Sequence, residues 1–338
     1  MRTRVSIKDI AKRAGVSHST VSRALRDSPL VSQETKERIR RLAEEMGYSP
    51  SAVARGLVTQ RTHTIGLVVT SIADPFVSRI TDGIEDVALN AGYSVFLCNS
   101  HADPERELAV VRTFHERRVD GVIVTASRVG SLYSSLLEEL GVPVVLINNQ
   151  RPGRYVYSVS TDNRDGARKA VDYLIKLGHR RIAYIGSQSR LYAHGERLAG
   201  YREALTAHGL SPDPRYIVAD MEADDINRGR RAARDLLSLS PPPTAIFCFN
   251  DMTAIGVLVA CREMGCRVPE DLSVVGFDDI AMAAFTCPPL TTVRQQCYEL
   301  GREAMNMMLK LLNNQEASDL VLPAELVMRE SCRALVEL

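Results

Sequence analysis

The stretch Ser6-Ile7-Lys8-Asp9-Ile10-Ala11-Lys12-Arg13-Ala14-Gly15-Val16-Ser17-His18-Ser19-Thr20-Val21-Ser22-Arg23-Ala24-Leu25-Arg26 decides how this chain is read. Ile7, Ile10, Ala11 and Ala14 recur at helical spacing and give one apolar face. Ser6 can cap that helix, and Gly15 can end it, since glycine enters a left-handed turn at little cost. After the turn Ser17 is a fresh cap for a second helix, whose buried face is Thr20, Val21, Ala24 and Leu25. Two short helices joined so tightly must cross steeply, as in a helix-turn-helix. The second helix then turns His18, Ser19, Ser22, Arg23 and Arg26 outward. That row of donors suits base edges and phosphates in a DNA major groove. A small helical hairpin with a solvated face explains any one of these features, but not the cap, apolar and basic positions together.

A chain of 338 residues is too long for one ordinary core, so two or three domains are expected. The formal net charge of +1 hides an asymmetry: residues 1–61 carry +7 and the remainder −6. Nucleic-acid contact therefore belongs to the head. The opening Met1-Arg2-Thr3-Arg4 leads into the helical pattern with no apolar signal region, and no apolar run is long enough to cross a bilayer. The seven cysteines, at 98, 248, 261, 266, 287, 297 and 332, include no Cys-x-x-Cys pair. They read as reduced cysteines of a cytoplasmic protein. No cofactor or metal site is expected.

The head continues into a third helix, entered at Ser32, carrying Thr35, Ile39, Leu42, Ala43 and Met46, and stopped at Gly47. Lys36, Arg38, Arg40 and Arg41 mix solvated charge with phosphate contact. Residues 51–58, Ser51-Ala52-Val53-Ala54-Arg55-Gly56-Leu57-Val58, are about two turns of helix with an interior glycine, too little to be stable alone in water. This is a conditional helix, ordered by a partner or by DNA, and a polar linker follows it.

From Thr64 the rhythm changes to short β-branched strands alternating with amphipathic helices. Strands are expected at 65–69, 95–98, 121–125, 144–147, 157–160, 182–185, 245–249 and 273–276. Helices are expected at 76–91, 105–117, 129–140, 165–177, 196–208, 226–238, 253–264 and 298–312. This alternation predicts doubly wound parallel sheets. Eight strands exceed one modest sheet, so two α/β lobes facing one another are expected, with a ligand cleft at the carboxyl ends of their strands. Those ends carry Asp74-Pro75-Phe76, Asn99, Asn148-Asn149, Asn250-Asp251 and Asp278-Asp279. Amides and carboxylates with an aromatic suit a polyhydroxylated ligand. Turn chemistry is the rival account of each taken singly.

Together the head, the segment Tyr48-Ser49-Pro50-Ser51 with Ala54-Arg55-Gly56-Leu57, and the body resemble the lactose/galactose repressor family of bacterial transcription regulators. The body strings that carry the likeness are Asp74-Pro75-Phe76, Leu177-Gly178-His179-Arg180-Arg181-Ile182-Ala183, Arg197-Leu198-Ala199-Gly200-Tyr201, Asn250-Asp251, Val268-Pro269-Glu270-Asp271-Leu272-Ser273-Val274-Val275-Gly276-Phe277-Asp278-Asp279 and Pro289-Leu290-Thr291-Thr292-Val293. The resemblance implies an all-α helix-turn-helix head, residues 1–48, and a hinge helix with linker, 49–62. It implies an α/β core, 63–338, of periplasmic-binding-protein type. Its N-lobe is about 63–161 and 290–322 and its C-lobe about 162–289 and 323–338, with crossings near Thr161, Pro289 and Pro323.

It further implies a homodimer on a pseudo-palindromic operator in double-stranded DNA, and a small-molecule effector, a sugar or sugar derivative, in the cleft. The candidate DNA contacts are Ser6, Ser17, His18, Ser19, Thr20, Ser22 and Arg23, with Ala54 and Leu57 of the hinge. Leu57 would wedge into the minor groove at the operator centre. The candidate effector contacts are Phe76, Asn148, Arg197, Asn250 and Asp278, where a guanidinium fork and a carboxylate can hold vicinal hydroxyls. Ser187-Gln188-Ser189-Arg190 departs from the family's usual Gly-Pro at this loop. The chain shows no terminal leucine heptad, so a dimer and no heptad-built tetramer is expected.

The leading reading is an effector-controlled repressor. A sugar-binding transport receptor is disfavoured by the basic head. A sugar-acting α/β enzyme is disfavoured because phosphate-binding glycine loop, Gly-x-Ser-x-Gly elbow and metal-ligand spacing are all missing.

Overall fold

The computed structural model describes residues 5–48, 61–101, 103–125, 141–149, 156–221 and 224–335. The expected helix 129–140 and the hinge segment 51–58 lie outside the described residues. The chain forms two compact units, Met1–Thr62 and His63–Leu338. In the first, α1 (Ile7–Ala14), α2 (His18–Leu25) and α3 (Gln33–Glu45) enclose a small core of Ile10, Ala11, Val21, Ala24, Ile39 and Ala43. Ser6 and Asp9 cap α1 reciprocally: the Ser6 amide and hydroxyl donate to Asp9 Oδ2 at 2.9 and 2.7 Å. Gly15 ends α1 at φ +67°, which a side chain would resist, and so sets the sharp turn into α2.

Among the described residues the second unit carries two six-stranded sheets. The first combines β1 (Thr64–Val69), β2 (Ser94–Asn99), β3 (Gly121–Thr125), β4 (Val144–Ile147), β5 (Val156–Thr161) and β11 (Leu320–Leu322) in the order 11-5-4-3-1-2. The second combines β6 (Ile182–Ser187), β7 (Ile217–Asp220), β8 (Ala245–Cys248), β9 (Ser273–Asp278), β10 (Thr291–Arg294) and β12 (Glu325–Val327) in the order 12-10-9-8-6-7. Every described pairing is parallel except β10 with β12. β3, β4, β6, β8 and β9 are buried along their whole length, as a parallel sheet covered on both faces requires.

The covering helices are α4 (Pro75–Asn90), α5 (Pro104–Glu116) and α10 (Cys297–Leu312) in the first lobe. In the second they are α6 (Asn163–Lys176), α7 (Leu191–Ala207), α8 (Asp225–Leu237) and α9 (Asp251–Met264). Thus the all-α head and two parallel-sheet α/β lobes match the expected fold class. No helix among the described residues is long and apolar enough to cross a membrane.

Two details differ from the sequence reading. Residues 291–294 stay with the second sheet, because β10 pairs with β9 before the chain leaves. The crossing therefore falls at Gln295–Gln296, just before α10, and later than Pro289. The other two follow β5 and lie between β11 and β12. Helix α7 begins at Leu191, five residues before the expected Glu196. Its early turn was obscured by Arg190, which caps it without a side-chain hydrogen bond.

Candidate functional site

On the head, Ser17 Oγ accepts the Thr20 amide at 3.1 Å and lies 2.7 Å from Ser19 Oγ and 2.9 Å from Thr20 Oγ1. His18, Ser19, Arg23 and Arg26 are exposed on α2, while Thr20 and Ser22 are half-buried. Arg26 Nη2 donates to Ser22 Oγ at 2.8 Å and so steadies this face. Ser6 and Ser17 serve first as helix caps, with both residues exposed. Three of the four α3 cations have fixed duties. Lys36 and Arg40 pair with Asp27 at 3.1 and 2.9 Å, and Arg38 donates to the Ala14 carbonyl at 3.2 Å. Ala54 and Leu57 lie outside the described residues.

In the core, each sheet reverses its strand order where β1 meets β3 and where β6 meets β8, the points at which a doubly wound sheet opens a crevice. A cleft of about 520 Å³, open to solvent at its mouth, lies there. Phe76 and Asn148 enter it from the first lobe and Arg197 and Asp278 from the second. Asn148 and Asp278 both hold positive φ, 51° and 122°, which aims their side chains inward at a backbone cost of about 1–3 kcal/mol each. Their link is Gln295, the residue of the crossing. Asn148 Nδ2 donates to Gln295 Oε1 at 3.1 Å, and Gln295 Nε2 donates to Asp278 Oδ1 at 2.6 Å.

Arg197 is 3% exposed, so its charge needs compensation on every side. Its guanidinium lies between two rings, 3.7 Å from the Phe277 centroid and 4.5 Å from that of Phe249. Its Nε donates to Asn163 Oδ1 at 2.8 Å, its Nη1 to the Phe249 carbonyl, and its Nη2 lies 3.8 Å from Asp278 Oδ1. Burial nevertheless lowers its pKa. Burial pushes the Asp278 carboxyl up to about 7, with Arg197 opposing the shift and the Asp74 charge adding to it. A carboxyl so placed can accept from, or donate to, a ligand hydroxyl.

Arg190 closes one side of the cleft. Its Nη2 donates to Asp74 Oδ2 of the first lobe and its Nη1 to Asp225 Oδ2 of the second, both at 3.1 Å. Asp74 also caps α4, accepting the Phe76 amide at 3.0 Å. Burial raises the Asp74 pKa despite Arg190. For Asp225 burial acts the same way, but Arg190, Arg228 and the Asn250 amide outweigh it and the pKa falls.

Asn250 departs from the sequence assignment. It does not line the cleft but caps α9, with Oδ1 accepting from the Thr253 amide at 2.9 Å, while its Nδ2 donates to Asp225 at 2.6 Å. Its turn chemistry claimed the side chain. Asp251, behind it, accepts the Thr292 hydroxyl at 2.5 Å and the Ile280 amide at 2.9 Å. Asp279 turns away from the cleft to Arg294 and Arg329 at 2.7 and 2.6 Å.

Comparison with known proteins decides the family. A model of bacterial regulatory proteins of the lacI family matches residues 6–51, and one of a periplasmic binding protein-like domain matches 171–332. The HTH-type transcriptional repressor CytR of Escherichia coli K12 is 37% identical over 337 residues, covering 98% of each chain. The chain belongs to the lacI family of bacterial transcription regulators.

Solved structures agree with the fold. The lac repressor dimer bound to operator and the anti-inducer ONPF superposes with a TM-score of 0.86 at 29% identity, over 98% of this chain and 100% of that one. A transcriptional regulator CelR–cellobiose complex gives 0.74 at 33% identity, over 97% and 100%. This lacI-family chain is thus a transcriptional repressor with a ligand-binding domain and not an enzyme, and the receptor and sugar-enzyme readings fall away.

Sequence reasoning missed Gln295, Arg190, Tyr192 and Phe249 among the residues lining this family member's cleft. Gln295 follows a four-residue strand too short to notice. Arg190 lies in the loop whose departure from Gly-Pro was the one available signal.

Proposed function

We propose that this lacI-family repressor binds a pseudo-palindromic operator as a homodimer in the cytoplasm, and that a small-molecule effector, a sugar or sugar derivative, in the interlobe cleft controls its occupancy. The observation that carries this reading is the convergence of Phe76, Asn148, Gln295, Arg197 and Asp278 from both lobes on one cleft. Asp278 and Arg197 offer a carboxylate and a guanidinium to adjacent hydroxyls, and Phe76 offers a face to the apolar side of a sugar ring. A ligand touching both lobes favours one lobe orientation, and only its differential affinity for the two orientations can move the equilibrium. The head supplies Ser6, Ser17, His18, Ser19, Thr20, Ser22 and Arg23, and the hinge Ala54 and Leu57, as operator contacts. The division into head, hinge and two lobes belongs to the same proposal, with residues 291–294 moved to the C-lobe.

The experiment is a thermal-shift screen of sugars, sugar phosphates, nucleosides and purines, followed by binding to DNA selected from a random pool with and without each hit. A binder raises the melting temperature by mass action. Coupling of about 1–3 kcal/mol would change operator affinity about 5- to 150-fold. Arg197→Ala should lose that response and keep its affinity for operator without effector. An Arg197→Ala protein that responds with wild-type midpoint and amplitude overturns the assignment.

A further inference from the structure

Cys261 and Cys266 lie at the C-terminal end of α9, outside the cleft. The helix ends at Gly265, φ +71°, and the Cys266 amide donates back to the Cys261 carbonyl at 2.9 Å. This six-to-one closure presses the side chains on either side of the left-handed glycine against each other. Given that hydrogen bond, standard bond lengths hold the two Cα atoms within about 6.8 Å. Disulfides span Cα separations up to about that value. Both residues are free thiols; Cys261 is buried and Cys266 is partly exposed.

The neighbouring Cys261 thiol lowers the Cys266 pKa against burial and the charge of Asp271, and the same neighbour, with burial, raises that of Cys261. An accessible sulfur that favours the thiolate beside a buried partner has the arrangement of an attacking and a resolving cysteine.

We propose that Cys266 and Cys261 form an oxidation site at which a peroxide converts the pair to an intramolecular disulfide. The Cys266 thiolate attacks the peroxide; an S–O bond forms, the O–O bond breaks, and the departing hydroxide takes a proton, leaving a sulfenic acid. The Cys261 sulfur, losing its proton, then attacks the Cys266 sulfur; the S–S bond forms, the S–O bond breaks, and the oxygen leaves as water. The pair loses two protons and two electrons, and hydrogen peroxide becomes two waters. The disulfide would clamp one end of the helix whose other end, at Asn250 and Asp251, stands behind the cleft.

The test treats the full-length protein with hydrogen peroxide, blocks remaining thiols by alkylation under denaturing conditions and digests it with trypsin. Residues 235–262 and 263–267 should then be recovered joined, and separate after dithiothreitol. The link should be lost in Cys261→Ser and in Cys266→Ser. In Cys261→Ala the pH midpoint for Cys266 alkylation should rise, since alanine offers no hydrogen to the Cys266 sulfur. Three results would each overturn the proposal. Cys266 could be fully alkylated, or recovered as sulfinic acid, in the peroxide-treated wild type. The link could persist in Cys261→Ser through Cys248, which shares the 235–262 peptide. Or the alkylation midpoint could be unmoved in Cys261→Ala.

Discussion

Arg190 of the second lobe donates to Asp74 of the first at 3.1 Å, a direct ion pair across the cleft. The same guanidinium holds Asp225, so one side chain ties together the N-terminal ends of α4 and α8. Arg190 is 20% exposed and both carboxylates 10%, so solvent screens the pairs only in part. The two lobes are therefore braced against each other by this contact.

The brace should appear in a double-mutant cycle. Arg190→Ala strands the Asp74 carboxylate, while Asp225 keeps Arg228 and Asn250, and Asp74→Asn removes the stranded charge, so the double variant should lose less than the sum of the singles. A coupling of about 1–3 kcal/mol is expected from denaturant unfolding. Additivity within about 0.3 kcal/mol would show that the pair contributes nothing.

Asp278 predicts a pH effect on stability. In the folded protein its carboxyl titrates near about 7 because it is buried, against about 4 in the unfolded chain. Its contribution is full below the unfolded value and is lost as pH rises through about 7, because the folded state alone then keeps the proton. Melting temperatures of wild type and Asp278→Asn between pH 5 and 8 should diverge in the variant's favour as pH rises. A constant difference over that range would refute the assigned shift.

Arg23 is exposed on α2 and should reach base edges. Arg23→Ala is expected to cost about 1–3 kcal/mol in operator binding, read by anisotropy at fixed salt. The thermal shift given by an effector should not change. Equal affinity for selected and random DNA in the wild type would undermine the reading.

Gly276 lies in β9 where a Cβ would stand 2.2 Å from Asp251 Oδ1. Gly276→Ala should displace Asp251 from Thr292 and Ile280 and cost about 1–3 kcal/mol, measured by chemical denaturation. A loss below about 0.5 kcal/mol would mean that Asp251 has room to shift.

Much of this molecule was legible in its residues. The α2 face could be read because helical period, caps and charge all agree there, and the described structure exposes His18, Ser19 and Arg23. The eight expected strands were visible as apolar runs, including β2, whose residues are exposed or half-buried. The missing four, β7, β10, β11 and β12, have three or four residues each and are set by their neighbours in the sheet more than by their own composition. Phe76, Asn148, Arg197 and Asp278 reach the cleft as expected, because strand ends of a doubly wound sheet converge there. Asn250 did not, since a cap and a carboxylate compete for it locally. Arg190 and Gln295 could not be read from local pattern, because the partner each takes from the first lobe, Asp74 and Asn148, is more than a hundred residues away in the chain.

The amide of Gln295 also has a direction, and one carboxylate sets it. An ionised Asp278 can only accept, so the Gln295 nitrogen must face it and the oxygen must face Asn148. Asn148 cannot turn over in response, because its own oxygen takes the Thr161 amide at 3.0 Å, a backbone donor that never reverses. Three side chains thus form a one-way wire from β9 to β4, polarised at both ends. An asparagine at 278 keeps this wire only by turning its oxygen to Gln295, because presenting its NH2 would put two donors face to face.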